Sequence, residues 1–201
     1  VAVSAPIISL SIDLEAAIRR RKPDKRLRQL STRPDNALIS HDDLAATGVV
    51  ALVADTNVYI NDAAGRLPQR VEALLDRTIL FHCSVCVGEI ATGVAGVDPT
   101  TKGWAEVRSV YAELLGAIPA SRLLTPDSQV WTDAGLVAGT LARTQNFQRH
   151  QRKEMLNDAL ILLTAAKLGL PVLTSDRDHY DLLQQLCPDS RFVFYSIAAA
   201  A

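Results

Sequence analysis

Val49-Val-Ala-Leu-Val-Ala54 is a run of six apolar residues followed at once by Asp55-Thr56-Asn57. A run without alternation suits a strand buried on both faces, which is a central strand of a parallel sheet. Further short apolar runs, Thr78 to Phe81, Pro171 to Thr174 and Phe192 to Tyr195, alternate with segments of helical period. These segments are Gln69 to Asp76, Val85 to Val94, Thr101 to Ala117, Asp127 to Ala142, Lys153 to Leu168 and Arg177 to Leu186. Gly169 and Pro171 stop the helix that begins at Lys153. Strand and helix in alternation predict an α/β fold with a central parallel sheet covered on both faces.

The first 48 residues have another character. They carry eight basic and six acidic residues, with Pro23 and Pro34. We expect a short strand near Ile7 to Ile12, a helix through Glu15 to Arg21 interrupted by Pro23, a second helical piece from Asp24 to Leu30, and a turn at Thr47 and Gly48. Residues 1–48 then form an N-terminal extension and residues 49–201 the main domain. Seven of the ten residues from Arg19 to Arg28 are basic. A solvated helix face is the expectation for them; a nucleic-acid surface and a docking segment are the alternatives.

Composition narrows the class. The 201 residues include 21 basic and 22 acidic side chains, a formal charge of −1, and 48% are apolar. That apolar share excludes wholesale disorder, and the near-zero charge excludes nucleic-acid binding by bulk charge alone. No apolar run approaches the ~18 residues that span a bilayer. The basic run follows the first apolar stretch, the reverse of a secretory signal. Cys83, Cys86 and Cys187 are too few for a disulfide scaffold. These features predict a soluble cytoplasmic protein. Cys83 and Cys86 read as small buried residues rather than a redox or zinc pair.

In open parallel sheets, functional groups gather beyond the carboxyl ends of the strands. Asp55 stands there after the first strand, and Asp176 and Asp178 after the third. Glu89 lies about one helical turn past the second strand. Asp158 sits among Leu156, Ala159, Leu160 and Ile161 on the helix before the third strand. A carboxylate near an apolar stripe is costly unless paired or bound to a cation. Converging acids repel one another, and a divalent cation removes the conflict. An all-oxygen site suits Mg²⁺ or Mn²⁺ rather than zinc.

The same residues resemble a known family. Val53-Ala-Asp55-Thr56-Asn57-Val58 resembles the opening motif of PIN-domain nucleases, and Val87-Gly-Glu89-Ile90 their second acidic motif. Asn157-Asp158-Ala159-Leu160-Ile161 is similar to the third, and Thr174-Ser175-Asp176-Arg177-Asp178 to the fourth. All four occur in order between Val49 and Tyr195. The resemblance implies a PIN-like (Rossmann-like) three-layer α/β/α sandwich and Mg²⁺- or Mn²⁺-dependent cleavage of RNA phosphodiesters, with water attacking phosphorus in line. It implies catalytic and metal-binding roles for Asp55, Glu89, Asp158 and Asp176, with Asp178 as a further metal-binding acid. Thr56, Asn57, Asn157 and Thr174 would orient carboxylates or water.

Compact members are often VapC-type toxins of toxin–antitoxin pairs, which implies an antitoxin partner. Such toxins begin a few residues before the first Asp, whereas 54 residues precede Asp55 here. An RNA-processing nuclease without an antitoxin and a non-catalytic nucleic-acid-binding module are the alternatives. A haloacid-dehalogenase phosphatase needs Asp-x-Asp after the first strand, and position 57 is Asn.

Arg149, Arg152 and Lys153, close to His150 and just ahead of Asp158, are candidate substrate-binding residues for phosphates flanking the scissile bond. Trp104, Tyr111, Trp131 and Phe147 read as core or interface rather than base-stacking platforms. The stripe that carries Trp104 and Tyr111, if exposed, would make a homodimer face.

Overall fold

The computed structural model describes residues 12–47 and 51–197. In chain order the elements are α1 (Leu14–Arg21), α2 (His41–Thr47), β1 (Ala51–Ala54), α3 (Thr56–Ala63), α4 (Gln69–Leu75), β2 (Ile79–Cys83), α5 (Ser84–Gly96) and α6 (Trp104–Gly116). They continue with β3 (Leu123–Leu124), α7 (Ser128–Thr144), α8 (Arg149–Lys167), β4 (Val172–Thr174), α9 (Arg177–Leu186) and β5 (Phe192–Phe194). The strand expected near Ile7 to Ile12 lies outside the described residues except for Ile12. Gly48, Val49 and Val50 lie outside them too.

Among the described residues the five strands form one sheet in the order β3-β2-β1-β4-β5, and every pairing is parallel. β1 is central: Leu52, Val53 and Ala54 are fully buried. The chain lays β2 and β3 on one side of β1, then returns to its other side with β4 and β5. That reversal places a switch point between β1 and β4, where the crevice beyond the strand ends opens. Leu173 O accepts from Asp55 N at 3.0 Å, so the pairing of β1 with β4 runs up to the first residue of the candidate site.

The long helix α8 covers the sheet with Met155, Ala159, Leu160 and Ile161, all with no exposed surface. It ends where Gly169 takes φ +65°, a conformation that costs glycine nothing, and Leu170 N reaches back to Ala165 O at 3.1 Å.

α3 is an element the sequence pattern does not announce. Thr-Asn-Val-Tyr-Ile-Asn is a poor helix former. It is helical because Asp55 caps it, accepting from Thr56 N at 2.7 Å, and because Val58 and Tyr59 are buried in the core. β3 is likewise short enough to escape notice.

The segment before β1 docks on the rest of the chain, and this corrects two expectations. From Asp24 to Leu30 there is no second helix, only a 3₁₀ turn at Pro23–Lys25. Lys22 turns left-handed ahead of Pro23, and this stretch has no apolar stripe to bury; Leu27 is exposed. The carbonyls of Pro23 and Arg26 accept instead from Arg143 on α7.

The basic run is not a solvated face throughout. Arg20 grips Asp133 of α7 with two hydrogen bonds, at 2.7 and 3.0 Å, and Arg21 adds a third at 2.9 Å. Asp133 is only 3% exposed, so its position demands such partners. Further along, Arg33 donates from its backbone N and its Nε to the fully buried Asp181 of α9. Ser40 then bridges β5 in parallel, with Ile39 O accepting from Phe194 N, so the segment covers the sheet edge. Cys83, Cys86 and Cys187 are buried free thiols, as expected of structural cysteines.

Asp133→Ala should lower stability by about 3 kcal/mol in chemical denaturation at pH 7, because it strands the docked guanidinium of Arg21. Burial pushes the Asp133 carboxyl up, but the hydrogen bonds from Arg20 and Arg21 prevail and hold it below the usual range. Its contribution is therefore complete above the unfolded value of about 3.9 and is lost as pH falls through the lower folded value. The gap between wild type and variant should narrow on acidification below about pH 4.

Candidate active site at the carboxyl ends of β1 and β4

Asp55 leaves β1 buried, 3% exposed, at the switch point. Its Oδ1 accepts from Thr56 N, while Oδ2 accepts from Thr174 Oγ1 at 2.7 Å and from Asn57 Nδ2 at 2.5 Å. Thr174, the last residue of β4, also accepts at its hydroxyl from Asp176 N at 2.9 Å and from Asn57 Nδ2 at 3.0 Å. Asn57 Oδ1 accepts from Ser175 N at 2.9 Å. One hydroxyl and one amide thus tie the loop after β1 to the loop after β4.

Glu89, on α5, is half-buried. Its Oε1 accepts from Asn157 Nδ2 at 2.7 Å, and its Oε2 accepts from the Thr56 hydroxyl. The residues expected to orient carboxylates, Thr56, Asn57, Asn157 and Thr174, all contact one of the acids.

Asp158 and Asp176 meet across a residue that sequence reading missed. His179 Nδ1 stands 2.9 Å from Asp158 Oδ2 and 3.1 Å from Asp176 Oδ2. Asp176 caps α9, its Oδ1 accepting from His179 N. The available signal was the spacing: a residue three places after a cap lies on the same face of the first helical turn.

The electrostatics are those of crowded like charges. Burial raises the Asp55 carboxyl well above the ordinary range, and the Asp158 charge raises it further, against the hydrogen bonds from Thr174 and Thr56. Burial also raises Asp158, less strongly because His179 opposes it. Burial would raise Asp176 as well, yet His179 holds it below its usual value. Hydrogen bonds to Asp158 and then Asp176 push the His179 imidazole up to about 10, against burial. Among the described residues no lysine or arginine pairs with Asp55, Glu89, Asp158 or Asp176. The Tyr180 hydroxyl, 0% exposed, lies close enough to Asp55 to interact with it but makes no hydrogen bond of ordinary geometry.

Asp178 does not join the group. It is 65% exposed and accepts from Arg177, whose guanidinium also reaches Asp35 and the Arg33 carbonyl. Of the three basic candidates, Lys153 lines a groove of about 590 Å³ with Glu89, Asn157, His150 and Thr92. Arg152 turns the other way, donating to Phe147 O and lining the cleft between α7 and α8. Arg149 is exposed on the first turn of α8, outside that groove. The apolar stripe on α6 is exposed at Val107 and Val110, with the Arg108 guanidinium over the Trp104 ring.

Residues 52–183 match the family model described as PIN domain. The chain belongs to the PIN-domain family, a family of nucleases. No match was found among curated protein sequences. Among solved structures the chain is similar to VapBC2 from Rickettsia felis bound to a DNA fragment from their promoter. The TM-score is 0.50 and the identity 13%, over 73% of this chain and 100% of that one. It is similar to FitAcB from Neisseria gonorrhoeae with a TM-score of 0.50 and 22% identity, over 71% and 96%. VapBC-5 from Mycobacterium tuberculosis, a member of the VapBC family of toxin–antitoxin systems, gives 0.47 and 22%, over 74% and 99%. At these identities the first two likenesses establish the fold.

Thr174→Val should keep the fold, lose about 1–3 kcal/mol and loosen the loop carrying Asp176, since Asp55 and Asp176 N both lose a buried partner. Tyr180→Phe removes a buried hydroxyl that makes no hydrogen bond of ordinary geometry and should leave the melting temperature of the metal-free protein unchanged or higher. Thermal unfolding of both variants checks this pair.

Proposed function

We propose that the protein is a divalent-cation-dependent endoribonuclease, acting in the cytoplasm as the toxin of a toxin–antitoxin pair. The observation that carries the reading is the set of four carboxylates, Asp55, Glu89, Asp158 and Asp176, at the strand ends without a lysine or arginine partner among the described residues. Membership of the PIN-domain family and the four ordered motifs support it. The toxin role draws further on the VapBC2 name of the Rickettsia structure that shares the fold.

The residues fit a hard dication such as Mg²⁺ or Mn²⁺. The donors are carboxylate oxygens, and the Tyr180 hydroxyl leaves a buried polar atom that the protein itself does not satisfy. Asp55, Glu89, Asp158 and Asp176 would hold the cation. When bound, such an ion supplies Lewis acidity toward a phosphate oxygen and lowers the pKa of water.

The chain's own residues do the rest. Thr174 and Asn57 fix the Asp55 carboxylate, and Thr56 and Asn157 fix Glu89, so the acidic donors are aligned before substrate arrives. Lys153 and His150 line the groove beside Glu89 and would receive phosphates flanking the scissile bond. Arg149 and Arg152 would contact RNA only beyond that groove. Water adds to phosphorus and the 3′-oxygen leaves, giving a 5′-phosphate. Asp178, exposed and paired with Arg177, serves outside this machinery.

We read residues 1–48 as an N-terminal extension, docked through its described residues 20–40, and residues 49–201 as the nuclease domain. The exposed Val107 and Val110 on α6 are the face we assign to a homodimer. No described helix is long and apolar enough to cross a membrane.

Purified protein should cleave structured or unstructured RNA with Mn²⁺ or Mg²⁺ and stop with EDTA. Asp55→Asn should lower the rate by about a hundredfold or more at unchanged fold. Lys153→Ala should raise KM several-fold with kcat retained, and Arg152→Ala should do neither. Cleavage by Asp55→Asn at the native rate would contradict the assignment.

A further inference from the structure

His179 Nδ1 stands close to two carboxylates at once. Around an octahedral ion with donors at about 2.1 Å, neighbouring donor atoms are about 3 Å apart. His179 Nδ1 lies 2.9 Å from Asp158 Oδ2 and 3.1 Å from Asp176 Oδ2. One ligand atom from each of the three residues falls within 4.8 Å of the others. The group is held in place from several sides. Asp176 uses its Oδ1 to cap α9 at His179 N, which leaves Oδ2 facing the imidazole. The ring of Phe147 lies against that of His179, 6.0 Å between centroids.

A second observation points the same way. The next residue, Tyr180, carries a fully buried hydroxyl directed at Asp55 and Asp158 that makes no hydrogen bond of ordinary geometry. A buried hydroxyl without a partner costs about 1–3 kcal/mol.

We propose that His179 Nδ1 is itself a metal ligand, so that the site is a mixed nitrogen–oxygen site selecting a first-row transition dication, Mn²⁺ among them, over Mg²⁺. This rests on the reading of the acidic cluster as a cation site and adds a donor that the four acidic motifs do not contain. Mg²⁺ favours oxygen and gives up water reluctantly, whereas first-row transition ions accept imidazole nitrogen readily. In the metal-free protein Nδ1 faces Asp158 and Asp176 as a hydrogen-bonded, protonated nitrogen; a bound cation would displace that proton to solvent, freeing the Nδ1 lone pair and leaving the ring proton on Nε2. The ligand atoms that the structure brings together for such an ion are those of Asp158, Asp176 and His179.

The test uses the full chain, stripped of metal. Mn²⁺ and Mg²⁺ binding are measured by calorimetry, and Mn²⁺-loaded protein is examined by pulsed electron paramagnetic resonance with natural and ¹⁵N-histidine. The wild type should show a directly coordinated nitrogen that changes with the label. His179→Gln should lose that coupling and bind Mn²⁺ about tenfold or more weakly, with Mg²⁺ affinity altered far less. Should the variant not fold, the wild-type spectrum alone decides. Mn²⁺ bound without coordinated nitrogen, and lost in Asp158→Asn, overturns the role of His179 while leaving the cation site standing. No Mn²⁺ uptake by the wild type overturns both.

Discussion

The hydrogen bond from the Thr174 hydroxyl to the Asp55 carboxylate joins the two loops at the switch point of the sheet. β1 and β4 are neighbours because the chain reverses direction of winding between them, and their pairing brings Asp55 and Thr174 side by side. Thr174 then has only local choices. Donating to Asp55 and accepting from Asp176 N, it sets where α9 starts. The start of α9 sets where Asp176 and His179 point, and His179 draws in Asp158 from α8. Glu89 is fixed from both flanks, by Thr56 one residue beyond Asp55 and by Asn157 one residue before Asp158. Burial raises the carboxyls of Asp55 and Asp158 at a cost in stability, a frequent mark of a site built for binding.

The segment ahead of β1 answers a different requirement. Asp133 and Asp181 are buried acids on α7 and α9, and neither faces the strand-end cluster. Each is satisfied by arginines from residues 20–33, so charges that would be costly inside the main body become attachment points. The attachment has structural consequences near the site. Arg33 holds the face of α9 at Asp181, two residues past His179, and Arg177 ties the first turn of α9 to Asp35 and the Arg33 carbonyl. The extension thus braces the helix that carries two of the proposed ligands.

Much of this was legible in the sequence. Six apolar residues ending in Asp-Thr-Asn specify a buried parallel strand and the acid at its tip, and Leu156 to Ile161 specify a helix that buries its flanks around Asp158. Those patterns are strong because burial on both faces leaves few alternatives. α3 was not legible: its propensity is poor, and only the cap at Asp55 and burial of Val58 and Tyr59 make it helical. His179 was missed because a histidine at the head of an amphipathic helix has no pattern of its own; its partners come from a separate helix 21 residues away and from the cap. The docking of Arg20 and Arg21 was hidden for the converse reason. A basic run looks solvated until a buried acid, 113 and 112 residues away, is brought against it. Asp178 shows the limit of motif spacing: of two acids two residues apart at a helix start, Asp176 caps α9 beside His179 while Asp178 is exposed and pairs with Arg177.

The proposed nuclease requires that the carboxylates of Asp55, Glu89, Asp158 and Asp176 together hold a divalent cation. Anomalous diffraction from crystals soaked in Mn²⁺ locates such an ion without reference to activity. A strong peak bounded by these four side chains and His179 is expected, with Lys153 and Asp178 outside its coordination sphere. Saturating Mn²⁺ with no peak between these side chains would contradict the proposal.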